Sequence, residues 1–289
     1  MKTTNKFLLT LTFFTVLVFI LSSCSEPYDP AVIPETEVFS PIDIEDTVVT
    51  ETYFMFRLRF IDAYDISNPY FYRGKEGSEY NINTYRTYRV TEKELANHNK
   101  LYAIFAPIEA DEIKQTWAYE QIDEPTEIFD GRVYYLETEQ VEQMARELFG
   151  KDVKLIHKSP HRSPSGSNFP FFNNGRYEWR DPNGGGDFRR CVFHVPTSAE
   201  KSENYLIIYD KYINVTISDD DIRFFYGDSE FTTEIEIPDE YKPSDIYEGP
   251  LYEEKENEVV LKYGTPYKHT FKLAEDGTYF WVSSEPITD

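Results

Sequence analysis

The sequence predicts an α+β protein, predominantly antiparallel β, with an N-terminal mixed part followed by an all-β sandwich- or barrel-like part. Aromatic residues make up 17% of the chain, with 23 Tyr and 22 Phe, and such side chains suit the half-buried pleated surface of a strand. Short apolar runs separated by tight-turn dipeptides recur through residues 188–289, the spacing expected of a sandwich or barrel. Helical signals are confined to two short segments of the N-terminal half.

In chain order, residues 50–61 read as a strand, because Phe54, Phe56, Leu58 and Phe60 alternate with Met55, Arg57, Arg59 and Ile61. Thr91-Glu92-Lys93-Glu94 has the capping-box pattern and predicts a short helix to about residue 97. Leu101 to Ala106 reads as a buried strand and Arg132 to Glu137 as another. Val141, Met144, Ala145 and Leu148 sit at helical spacing before Gly150, so residues 139–149 form the clearest helix, with Gly150 just past its end. A strand is expected at 153–158. Residues 159–187 hold four prolines and five glycines and read as a functional loop or a linker. Beyond it, strands are expected at 191–195, 205–209, 212–217, 222–226, 231–237, 259–263, 269–273 and 278–282. Asp210-Lys211, Gly227-Asp228 and Asp276-Gly277 are read as turns, the last a hairpin signal. Residues 238–258, rich in Pro and acids, read as a surface excursion.

The formal net charge is −23. A chain this acidic lacks the basic footprint of a nucleic-acid binder and has no electrostatic attraction to anionic lipid. A charge far from zero keeps a protein dispersed, and it also permits a basic partner. The two cysteines, Cys24 and Cys191, are too few for a multi-cysteine metal site.

The N-terminus reads as an export signal. Lys2 and Lys6 precede an apolar run from Phe7 to Leu21, shorter than the span of about 20 residues that a membrane helix needs. Leu21-Ser22-Ser23-Cys24 resembles the lipobox of bacterial lipoproteins. The resemblance implies cleavage before Cys24, so that residues 1–23 are removed, and acylation of the Cys24 sulfur, which anchors the mature chain to a lipid bilayer. Losing Lys2 and Lys6, and no acids, takes the mature charge to −25. Ser25 after the cysteine is similar to an outer-membrane sorting signal, which implies a periplasmic or cell-surface location. Residues 24–46 read as a tether: Pro27, Pro30, Pro34 and Pro41 block regular structure. Its acids are unopposed, because no Lys or Arg occurs between Lys6 and Arg57, and like charges extend a linker. Asp46-Thr47-Val48 is similar to the short O-glycosylation site of exported Bacteroidota proteins, which makes Thr47 its acceptor. Residues 47–158 form the mixed part and 188–289 the β part.

No catalytic residue is assigned. The nucleophile-elbow, zincin, Walker and dinucleotide motifs are missing. Ser198-Ala199-Glu200-Lys201 matches the S-x-x-K of penicillin-binding proteins, but its companion motifs are incomplete, so it reads as a polar turn between strands. His157 and His161 are spaced like metal ligands on a helix, a geometry that Pro160 and Pro164 forbid. Cys191 and His194, three apart on a strand, point to opposite faces rather than forming a dyad. Asp181, Asn183 and Asp187 lie in a Gly-rich loop that partly fits a Ca²⁺ site, with Gly185 and Val192 where further ligands belong. Asp219-Asp220-Asp221 reads as a solvated turn. The most informative group is aromatic: Phe169, Phe171, Phe172, Tyr177 and Trp179, inside the 159–187 loop. Such side chains offer faces for sugar rings, anchors for a protein partner, or a small core beneath the loop.

The expected function is therefore an anchored binding or interaction module whose partner is an envelope protein or a glycan, with no cofactor. The competing expectations are a metal-assisted hydrolase using His157, His161, Asp181 and Asp187, and an acidic inhibitor or immunity-type lipoprotein.

Overall fold

The structure, a computed structural model, describes residues 29, 31–60, 88–105, 120–122, 133–159, 171–179, 190–217, 222–227, 233–242 and 252–288. The chain divides into two units, residues 1–34 and residues 35–289. In the first, Asp29 closes a turn by accepting the Ala31 and Val32 amides. The fold below is that of the second.

It is mixed, with more strand than helix, and its sheets are antiparallel. A seven-stranded sheet has the order β1-β7-β8-β10-β11-β2, with β9 pairing beside β8. Its strands are β1 (Ser40–Ile42), β2 (Val90–Thr91), β7 (Arg190–Lys201), β8 (Tyr205–Ile217), β9 (Arg223–Tyr226), β10 (Thr265–Leu273) and β11 (Tyr279–Pro286). A four-stranded sheet has the order β3-β4-β6-β5, from β3 (Glu120–Ile122), β4 (Val133–Glu137), β5 (Phe171–Asn173) and β6 (Arg176–Trp179). The helices among the described residues are α1 (Thr47–Phe60), α2 (Asn97–Phe105), α3 (Thr138–Phe149) and α4 (Tyr252–Tyr263). Strands from before residue 92 and after residue 190 thus share one sheet.

Each face of the large sheet carries a core. On one face Leu206, Ile208, Tyr212, Tyr267, Phe271 and Trp281 pack with apolar side chains of α1, α2 and α3. On the other, Phe193, Ile213, Val215 and Phe225 pack with Val259 and Val260 of α4. Residues 205–217 are therefore buried on both faces, and they read as a nearly continuous apolar run for that reason.

Several sequence expectations are corrected. Residues 47–60 are helical, not a strand. The buried positions are Val49, Tyr53, Phe56 and Phe60, spaced four, three and four apart, which is helical periodicity. The Phe/Arg alternation concealed it because Arg59 is also buried: its guanidinium donates to the Ala103 and Ile104 carbonyls at the end of α2. Asp46 supplies the N-cap, accepting the Val48 amide at 3.0 Å. Residues 101–105 are the second half of α2 rather than a strand; Leu101, Ala103, Ile104 and Phe105 are all buried, and an unbroken apolar run carries no period. Half of the Thr91–Glu94 box forms, the Thr91 amide donating to Glu94 Oε2, while the Thr91 hydroxyl donates to the same carboxylate, and the helix starts later, at Asn97. Residues 259–263 end α4 instead of forming a strand, so the C-terminal part is not all β. Residues 153–158 are irregular, and the Asn97 amide bonds both the N–H and the C=O of Ile156. Residues 233–237 make one isolated bridge, Tyr226 to Glu234. The 159–187 stretch contains a β-hairpin whose turn is Asn174-Gly175, at φ +49° and +86°. Asn-Gly with both φ positive is the type I′ signature.

Other elements stand as read. The helix at Thr138–Phe149 ends on Gly150, whose amide donates to Arg146 O at 2.9 Å. The β10–β11 hairpin turns at Gly277, φ +91°, with Asp276 Oδ1 accepting the Thr278 amide. Gly150 has φ +90°, and a Cβ there would lie 2.8 Å from the Phe280 ring. Gly150→Ala should therefore destabilise the fold by about 1–3 kcal/mol, read as a lower midpoint in thermal or urea unfolding. An unchanged midpoint would mean that the α3–β11 junction is not closed as described.

Candidate functional site

The polar residues of the large sheet converge on Asp210. Its position in β8 was read as a turn, yet the strand runs straight through it and the side chain is buried. Tyr53, one turn before Phe56 on α1, donates its hydroxyl to Asp210 Oδ2 at 2.8 Å. The Tyr53 oxygen also lies 2.9 Å from His194 Nδ1 of β7. A hydroxyl has one proton, so with that proton on Asp210 it is His194 Nδ1–H that donates to Tyr53. On the other side His269 Nε2 of β10 lies 3.1 Å from Asp210 Oδ2. His269 Nδ1 is 2.7 Å from Ser284 Oγ, and Trp281 Nε1 donates to the same oxygen at 3.0 Å.

The last two contacts depend on a β-bulge. Thr270 faces Ser283, whereas the next residue, Phe271, faces Trp281. The extra residue, Val282, re-aims the strand, so Trp281 and Ser284, three apart, reach the same face.

Ser284, His269 and Asp210 thus form a hydroxyl–imidazole–carboxylate series, with Ser284 at Nδ1 and Asp210 at Nε2, the reverse of the nitrogen use in a serine-hydrolase triad. Ser284 and His269 are fully enclosed and Asp210 is 1% exposed. The His269 ring lies 4.4 Å from the Phe56 ring, centroid to centroid. This buried series seats α1 on the sheet through the Tyr53 hydroxyl, which donates to Asp210, while Ser284 accepts from Trp281.

A second polar group surrounds His157. Its Nδ1 lies 3.1 Å from the Tyr177 hydroxyl and its Nε2 3.2 Å from Glu142 Oε1 of α3. The ring stacks on Phe172, 5.9 Å between centroids. A metal at His157 would have to displace one of these bonds. Among the described residues no group of three or more His, Cys, Asp or Glu is placed to hold a metal ion; His161, Asp181, Asn183 and Asp187 lie outside the described residues.

The loop aromatics divide. Tyr177 is fully buried, its ring 4.8 Å from Phe105 and 5.0 Å from Phe172, so it anchors the hairpin rather than facing a partner. Phe172 packs against the same core, and Phe171 is half-buried. The backbone of Trp179 ends β6; Phe169 and Cys24 lie outside the described residues. Thr47 is exposed in the first turn of α1. Ser198–Lys201 belongs to β7, not to a turn, and its register places Ser198 opposite Tyr209 and Lys201 opposite Leu206. His194 and Cys191 lie three apart in that strand. Sequence reasoning missed Tyr53, Asp210, His269, Ser284 and Trp281; no local pattern joins positions this far apart. The Asn174-Gly175 turn was a readable signal for the hairpin.

Comparison with protein-family models, with curated proteins and with solved structures finds no match.

Two consequences are measurable. Tyr53→Phe removes the donor from a buried carboxylate, so stability should fall by about 1–3 kcal/mol in urea unfolding; a change within error would mean that the hydroxyl contributes nothing there. Burial raises the tyrosines: Tyr177 and Tyr205 shift upward, and Tyr209 is pushed up to about 12. Above pH 10 the unfolded chain loses phenolic protons that the folded chain keeps, so stability must decline as pH rises. Tyr177→Phe should flatten that alkaline decline, and an equal slope in wild type and variant would contradict it.

Proposed function

We propose that this chain is an exported lipoprotein, held on the outer membrane through an acylated Cys24, whose 35–289 unit is a binding module for an envelope protein or glycan. The anchor is carried by one observation, the lysine-flanked apolar run that ends in Leu21-Ser22-Ser23-Cys24. Several acyl chains together make a durable anchor, because each buried CH₂ contributes about 0.8 kcal/mol. The binding assignment draws support from the enclosure of Ser284, His269 and Asp210, which stand in the core between α1 and the sheet. The contact surface is the 159–187 segment, represented by the β5–β6 hairpin and its half-buried Phe171. By the same resemblance Thr47 is the O-glycosylation acceptor, and its exposure in the first turn of α1 leaves it accessible.

Cys24→Ser should move the protein from the membrane fraction to the soluble fraction and abolish labelling by radioactive palmitate. Retention of both properties would defeat the anchor assignment. Crosslinking in intact cells should then capture an envelope component, and the triple variant Phe171→Ala, Phe172→Ala, Trp179→Ala should lose it. Undiminished capture by a folded triple variant would remove the 159–187 segment from the contact surface.

A further inference from the structure

The register of the four-stranded sheet sorts its residues onto two faces. Leu136, Tyr177 and Phe172 stand opposite one another across β4, β6 and β5, and all three pack in the core. Strand alternation puts the neighbouring rows on the other face. One row is Tyr135, Glu178 and Phe171; the next is Glu137, Arg176 and Asn173.

Glu178 is the exceptional member. Its side chain is 0% exposed, while Arg176 beside it is 29% exposed. Arg176 Nε donates to Glu178 Oε1 at 2.6 Å, and its guanidinium lies 4.7 Å from the Tyr135 ring centroid. Glu178 Oε2 is buried and, among the described residues, has no hydrogen-bond partner. A carboxylate oxygen enclosed without a donor is strongly unfavourable, and such groups are rare in folded proteins. Its neighbours Tyr135, Phe171, Arg176 and Asn173 are half-buried and Glu137 is exposed, and because Oε2 is enclosed a ligand can reach it only if neighbouring side chains shift.

We infer that this face binds a neutral, hydroxyl-rich ligand, a glycan, with a ligand hydroxyl donating to Glu178 Oε2. The inference rests on the binding-module reading and names its ligand class. A cationic ligand would meet Arg176, and an anionic one would meet Glu137 and Glu178. A neutral hydroxyl meets neither penalty and supplies the missing donor. Phe171 offers an apolar ring to the C–H face of a sugar. Asn173 and Glu137 extend the hydrogen-bonding groups along the second row, the usual combination of apolar surface with a few oriented polar groups.

The test uses the full mature chain, lipidated and held in detergent micelles, titrated with neutral, acidic and basic oligosaccharides. Neutral oligosaccharides should bind, and Phe171→Ala and Glu178→Gln should each weaken binding at least tenfold. Glu178→Gln also takes the carboxylate from Arg176, so Asn173→Ala serves as a milder variant expected to weaken binding with an unchanged melting temperature. Absence of binding by any neutral saccharide to the folded chain overturns the inference. So does binding that survives both Phe171→Ala and Asn173→Ala. A Glu178→Gln variant that melts higher and binds as before would make Oε2 an internal cost only. Capture of an envelope protein without saccharide binding overturns this inference and leaves the binding-module reading standing. Saccharide binding by a chain that stays on the membrane as Cys24→Ser defeats the anchor alone.

Discussion

The Asp210 carboxylate lies in the middle of β8, the strand that both cores share, and it is enclosed there. A buried charge is tolerated only where donors converge on it. Here the donor comes from α1, through the Tyr53 hydroxyl, with the His269 ring at 3.1 Å on the other side. The arrangement ties the first helix to four strands at once: β7 through His194, β8 through Asp210, β10 through His269 and β11 through Ser284. Phe56 and Phe60 then fill the space beside it, stacked toward Phe271 and Trp281. Apolar burial supplies most of the stabilisation of such a core. The polar series adds direction, since only one placement of α1 satisfies it.

The same principle organises the smaller sheet, with a different outcome. Tyr177 and Phe172 are drawn inward and stack around His157, which Glu142 holds from α3. The alternate positions of the hairpin lie on the other face, where Arg176 and the buried Glu178 pair next to Tyr135. Among the described aromatic residues of the hairpin, Tyr177 and Phe172 thus pack into the core and Phe171 is half-buried on the opposite face.

The proposed anchor and the module are physically separable. An acyl chain holds a protein through its methylenes alone, whereas recognition requires groups placed at fixed distances. The acidic stretch between Cys24 and β1 carries no Lys or Arg.

Much of the local structure was legible. The class, the helix at Thr138–Phe149 with its Gly150 terminus, the β10–β11 hairpin at Gly277 and the central strands all follow from periodicity and turn chemistry. The Asn174-Gly175 hairpin was equally written in the chain and was obscured by the prolines around it. Residues 50–60 were misread because a buried Arg59 and exposed Phe54 imitate a period of two. Residues 101–105 are helical although they read as a strand, because their described side chains are all buried and an unbroken apolar run has no period. Residues 259–263 read as a strand from their paired valines, although only Val259 and Val260 are buried. Asp210 was read as a turn because, from sequence, an aspartate inside an apolar run signals a break. Pairing with β7 and β10 makes it a strand residue, and a tyrosine 157 positions earlier supplies a donor for its carboxylate. The sequence by itself determined each segment's local preference and the net charge, because these depend only on the residues along the chain. The tertiary structure alone decided which polar groups meet, because hydrogen bonds join residues by proximity in space, and that proximity is set by the packing of every element at once.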